Sequence, residues 1–142
     1  MKHYPHPRRN FPLMPSTIAL KISTATPSPV TVIHKKNTGV SDTRNQALAM
    51  ARGEYIQFAD ADDWLVPEAT GAFVRAAESS GAGLVISDFY RVVGNRTSLK
   101  GSIDTDGLIT REEYAENMSK SPADFYYGVL WNKLFRRDVP CF

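Results

Sequence analysis

Apolar positions recur along this chain at two different periods, and glycine, proline or asparagine marks each change of period. Residues 30–34 form a short β-rich run, which predicts a strand. Val40, Arg44, Ala47, Leu48 and Ala51 fall at helical spacing. They predict a helix over 41–52, with Ser41 as N-cap, Asp42 in the first turn and Gly53 at the end. Residues 55–59 read as a buried strand. Pro67 suits the first turn of a second helix over 67–80. Its inner stripe is Val66, Ala69, Thr70, Phe73, Val74 and Ala77, and Gly81 and Gly83 close it. A third strand is predicted over 84–93, with Gly94-Asn95 as a turn and 97–103 as an antiparallel or edge partner. Thr110 to Glu113 has the form of a capping box, with Ile109 and Tyr114 as a hydrophobic staple. The aromatic-rich segment 124–137 reads as helical from about Tyr127. Alternating strands and helices predict an α/β fold with a mostly parallel sheet. Strands 30–34, 55–59 and 84–93 would be neighbours in it, with helices 41–52 and 67–80 against it and an antiparallel edge.

Charge and proline set the first stretch apart. Six of the nine prolines lie in residues 1–29, so 1–29 reads as an irregular Pro-rich basic arm and 30–142 as the domain proper. Residues 1–41 hold six Lys or Arg and no acid, whereas 42–142 hold eleven basic and fifteen acidic residues. A basic arm can bind phosphate-rich partners, but this one lacks an RNA-binding signature, so it reads as a solvated tail and no nucleic-acid partner is expected. The apolar run Ile18-Ala19-Leu20 is cut by Lys21, which argues against a secretory signal. No apolar run approaches ~18 residues, the length of a membrane span. The single cysteine, Cys141, permits no internal disulfide and fits a reducing compartment.

The chemistry concentrates in Tyr55-Ile56-Gln57-Phe58-Ala59-Asp60-Ala61-Asp62-Asp63-Trp64. An apolar strand delivers three carboxylates to the point where it must end. Carboxylates are hard ligands suited to Mg²⁺ or Mn²⁺. They are equally ordinary loop residues, and one could cap the following helix. Arg44 interrupts an apolar stripe, either as a snorkelling or ion-paired side chain or as a group facing a ligand. Gly39 could serve a positive φ alone. Trp131 to Arg137 has the periodicity of an amphipathic helix with a basic end. The histidines His3, His6 and His34 have no metal-ligand spacing.

Asn37-Thr38-Gly39-Val40-Ser41, Arg44-Asn45, Ala51-Arg52-Gly53-Glu54-Tyr55-Ile56 and the Asp-x-Asp-Asp cluster together resemble the nucleotide-sugar core of family 2 glycosyltransferases, which have the GT-A fold. The resemblance covers 32–93 closely and 109–138 loosely. It implies an inverting, metal-dependent transfer of a hexose from a nucleotide sugar, a UDP-sugar foremost, to a glycan or lipid-linked acceptor. It further implies a cytoplasmic enzyme working at the inner face of a bacterial membrane, and allows peripheral membrane association. Asn37, Gly39, Arg44, Asp60 and Asp62 then match the nucleotide-sugar site. Asp62 and Asp60 match the Mg²⁺ or Mn²⁺ ligands, and Asp63, Trp131 and Lys133 match the acceptor side. The family's first strands have no counterpart in 1–29, and its catalytic base is expected beyond Phe142. The implied domain is therefore an incomplete GT-A fold. The competing expectation is a catalytically inactive fragment that at most binds a divalent cation or a nucleotide.

Overall fold

The computed structural model describes residues 31–101, 103, 107–122 and 124–139. The chain divides into two units, residues 1–37 and 38–142. In the first unit the described residues, 31–37, adopt neither helix nor strand, so the strand predicted over 30–34 does not form there. Val32 and Ile33 are exposed. Among the described residues no strand pairs with this run, so its backbone groups gain no ladder from an extended form.

The second unit begins with helix α1, Val40–Met50. Gly39, not Ser41, is its N-cap, at φ 93, a backbone conformation that favours glycine. The helix ends at Ala51 in extended conformation, two residues before the predicted stop at Gly53. The stripe expected to be buried is not: α1 has no buried residue, and Val40 is exposed. Strand β1, Tyr55–Gln57, follows. Helix α2, Ala69–Ser80, is closed by Gly81 in the left-handed conformation, as predicted. The segment read as one strand over 84–93 is two. Strand β2, Leu84–Ile86, joins the main sheet, and strand β3, Phe89–Val93, pairs with strand β4, Arg96–Lys100, in a separate hairpin. Gly94 makes that turn at φ 59. No non-glycine residue among those described has positive φ, so Gly94 alone takes the strained position, as in a type II′ turn. Helix α3, Arg111–Lys120, starts at the predicted capping box: Thr110 Oγ1 accepts from Glu113 N at 3.1 Å, and Glu113 Oε2 accepts from Thr110 N at 2.7 Å. A four-residue helix α4, Phe125–Gly128, leads into strand β5, Lys133–Arg136.

Strand β5 overturns two expectations. Residues 131–137 are not a helix, and the sheet is not parallel. The order is β1-β5-β2, and both pairings are antiparallel: Gln57 and Val85 flank Leu134 on either side. Strands β1 and β2 therefore run in the same direction, joined through α2, but a late strand is inserted between them. β1 is an edge strand among the described residues, not a central one. Helical periodicity in 131–137 loses because both neighbours satisfy the β5 backbone and burial takes its side chains on both faces. One face of the sheet carries Tyr55, Leu134 and Val85 against α2, where Phe73 and Ala77 complete the core. The other face carries Lys133 and Phe135, and Phe135 meets Phe58 edge-on at 6.0 Å.

Candidate functional site

Because β1 and β2 point the same way, their carboxyl ends open on one side of the sheet, the position where α/β sheets bind ligands. The Asp60 to Asp63 segment leaves β1 there as a turn, with Asp63 N donating to Asp60 O at 3.2 Å. Asp62, Asp63 and Trp64 then line a cavity of about 700 Å³. Its opposite wall comes from the end of β2 and the hairpin (Ser87, Asp88, Phe89, Tyr90), and Trp131 and Asn132 complete it. The cavity thus joins carboxylates from two strand ends with aromatic walls.

Asp60 is turned away from that cavity. Its Oδ1 accepts from Arg44 Nη2 at 2.8 Å, and the Arg44 guanidinium lies 5.7 Å from the Phe58 ring centroid. Of the two readings of Arg44, the ion-paired one is what the structure contains. Gly39 caps the same helix. Asn37 belongs to the first unit and is exposed. Asp63 carries the electrostatic signature of the cluster: partial desolvation, then the charges of Asp62 and Asp60, push its pKa up. A divalent cation would relieve that repulsion, and the all-oxygen donor set suits Mg²⁺ or Mn²⁺. The fit is one of donor chemistry, not of a preformed cage. Among the described residues no group of three or more His, Cys, Asp or Glu side chains is arranged to hold a metal ion. Asp62 and Asp63 would hold the cation from the cavity side, and Asp60 would join only on release from Arg44.

The Trp131-Asn132-Lys133 element works by bracing. Asn132 is buried and exchanges bonds with Ser87: Ser87 N donates to Asn132 O at 3.0 Å, and Asn132 Nδ2 donates to Ser87 O at 3.2 Å. Lys133 is also buried. Its Nζ donates to Asn132 Oδ1 at 2.8 Å, to Tyr126 O at 3.0 Å and to Val129 O. Burial pushes the amine down to about 8. Lys133 therefore does not reach the cavity, whereas Trp131 does, packed edge-on against Phe89 at 4.5 Å.

Asp88 belongs to none of the sequence motifs, although with Asp104, Asp106 and Asp124 it is among the first candidates for a base within this chain. It follows the Ser87 bracket directly, lines the cavity, and is hydrogen-bonded by Tyr126. Burial, then the Asp88 charge, pushes the Tyr126 phenol up to about 12, so it stays a hydrogen-bond donor. The sequence signal was present: an aspartate just beyond an apolar strand, in the same situation as Asp60.

The profile of glycosyl transferase family 2 matches residues 16–139. The chain belongs to that family. Among glycosyltransferase relatives it is 28% identical over 111 residues to the uncharacterized glycosyltransferase EpsJ of Bacillus subtilis (strain 168), covering 78% of this chain and 32% of that protein. It is 27% identical over 118 residues to the cholesterol galactosyltransferase of Borreliella burgdorferi, covering 78% and 33%. It is 28% identical over 106 residues to the poly(ribitol-phosphate) beta-N-acetylglucosaminyltransferase TarP of Staphylococcus aureus (strain N315), covering 74% and 30%. The chain thus spans about a third of the length of the curated relatives it matches. No solved structure gives a significant match. Among the described residues, no helix is long and apolar enough to cross a membrane.

Proposed function

We propose that this chain carries the donor-binding and part of the acceptor-binding surface of an inverting glycosyltransferase that moves a hexose from a nucleotide sugar, foremost a UDP-sugar, to a polysaccharide or lipid-linked acceptor. The observation that carries the reading is the cavity at the carboxyl ends of β1 and β2, where Asp62, Asp63 and Asp88 converge with Trp131. Aromatic faces stack on sugar rings, and carboxylates accept from sugar hydroxyls. In such a transfer the acceptor oxygen bonds to the anomeric carbon, the bond from that carbon to the diphosphate breaks, and the hydroxyl proton passes to a carboxylate. Asp62 and Asp63 would hold a Mg²⁺ or Mn²⁺ ion, which would neutralise the charge gathered on the leaving diphosphate. Arg44, if it leaves Asp60, adds a second positive charge on the same side. On this reading Asp88, which lines the cavity and is held by Tyr126, is the carboxylate that takes the acceptor proton.

A second reading is favoured by the Arg44–Asp60 pair, which occupies a carboxylate a metal site would use. On that reading the chain binds cation and nucleotide without transferring sugar. Calorimetry with Mn²⁺ plus uridine diphosphate, on wild type and Asp62→Ala, tests what both readings share: heat from wild type alone is expected, and equal heat from both proteins removes the site. A product assay with a panel of nucleotide sugars then separates them. Turnover that needs both Asp62 and Asp88 selects the enzyme, and binding without turnover selects the module.

A further inference from the structure

Strand β1 leaves one edge open. Glu54 O accepts from Arg137 N at 2.8 Å, so the hydrogen-bonded pairs of the β1–β5 ladder are Glu54 with Arg137 and Ile56 with Phe135. The backbone N–H and C=O groups of Tyr55 and Gln57 therefore point to the outer edge, where no strand meets them among the described residues. The Gln57 side chain is left half-satisfied as well. Its Oε1 accepts from Thr70 Oγ1 at 2.8 Å, whereas its Nε2 is buried without a hydrogen-bond partner. Helix α1 lies on the face that carries Ile56 and Phe58, because Arg44 reaches both the Phe58 ring and Asp60. It holds Asp42, Arg44 and Gln46 half-buried and leaves Val40, Ala47 and Met50 outward at helical spacing. Val40 and Met50 are 61% and 52% exposed.

We propose that β1 of one copy pairs with β1 of a second copy, antiparallel about a two-fold axis at Ile56, so that the two sheets become one. Unpaired edges invite such pairing, and Tyr55-Ile56-Gln57 contains no proline or charge to blunt it. The edge is self-complementary in this register. Tyr55 stands opposite the partner's Gln57, and each such pair exchanges both of its outward N–H and C=O groups. The axis passes between the two Ile56 side chains, which extend the apolar layer beneath α1 and its exposed stripe. Residues directly opposite project to the same face, so the partner's Tyr55 comes beside the orphan Nε2 of Gln57. Charge selects a second copy over an unrelated strand. In an antiparallel pair the approach to one strand lies beside the exit of the other, so the partner's Arg52 comes beside Asp60, and the contact is made twice. Arg52 is exposed and makes no ion pair among the described residues. The partner thereby brings a second cation, besides Arg44, to the acidic turn. The pairing needs no sugar transfer and is tested without donor or metal.

The experiment is sedimentation velocity on the full chain over a range of concentrations. A reversible dimer is expected. Gln57→Pro removes one outward N–H from each copy and none of the inward bonds of β1, and should weaken the dimer roughly thirtyfold. Arg52→Glu should weaken it roughly tenfold, by a factor that shrinks in high salt. Ile56→Cys in a Cys141→Ser background gives an independent readout. Residues facing each other in a non-hydrogen-bonded antiparallel pair stand about 4.5 Å apart at Cα, so oxidation should link two copies through that one position. Val85→Cys in the same background reports on the other edge of the sheet, at β2, and should stay unlinked. Circular dichroism checks each fold. A chain that stays monomeric throughout the range, a dimer untouched by both Gln57→Pro and Arg52→Glu, or linkage through Val85→Cys and not through Ile56→Cys would each overturn the proposal.

Discussion

Leu134→Ala should cost about 3 kcal/mol of folding stability. Leu134 is 2% exposed, lies between Gln57 and Val85 in the central strand, and packs on Phe73 and Ala77. Truncation removes three carbons, about 2.4 kcal/mol at ~0.8 kcal/mol each. The void adds a further term, and Leu→Ala changes in cores span about 2–5 kcal/mol. The upper end is excluded here because Tyr55, Val74 and Val85 are only partly buried and can close in. With a urea m-value near ~2 kcal/mol/M, the midpoint should fall by about 1.5 M at unchanged slope. The assay is urea unfolding followed by the fluorescence of Trp64 and Trp131 together with far-ultraviolet circular dichroism. Leu99→Ala, on the exposed hairpin, is the control and should stay within about 0.5 kcal/mol. If the two variants shift the midpoint alike, residues 133–136 are not the centre of the sheet and the argument fails.

Stability should also depend on alkaline pH in two opposed steps. Lys133 is depressed from 10.5 to about 8, so across that window the unfolded chain holds a proton the folded chain lacks, and stability rises with pH. Tyr126 is raised from 10.0 to about 12, so above 10 the unfolded chain loses its proton first and stability falls. Urea midpoints against pH should show the rise flattened in Lys133→Met and the fall flattened in Tyr126→Phe; unchanged slopes would contradict the burial of these groups. Gly81→Ala forces a side chain into φ 69 and should cost about 1 kcal/mol, with Gly81→Asn milder, as thermal unfolding would show. Arg44→Gln frees Asp60, so calorimetry should find Mn²⁺ alone bound as well or up to about fivefold more tightly, the value of a partly exposed pair. Binding of Mn²⁺ with uridine diphosphate should weaken; losses in both would mean that Arg44 merely holds the loop in place.

Local signals fixed what depends on neighbours in sequence. The capping box at Thr110, the left-handed stop at Gly81, the Gly94 turn and the apolar lead into Asp60 follow from backbone geometry and hydrogen-bonding capacity within a few residues. The family was legible for the same reason, since its motif is a contiguous strand and turn. Segment 131–137 was not. Its spacing suits a helix, but Leu134 and Phe135 become a strand because β1 and β2, 77 and 49 residues upstream at Gln57↔Leu134 and Val85↔Leu134, both offer backbone partners. That insertion also turned an expected parallel sheet into an antiparallel one and left β1 at its edge. The site divides in the same way. Asp62 and Asp63 were visible as a motif. Asp88 joins them only because Asn132 ties Ser87 to β5, and Asp60 leaves them only because Arg44 reaches it from another element. Sequence spacing carries donor chemistry, but which carboxylates share a cavity is decided by non-local pairing.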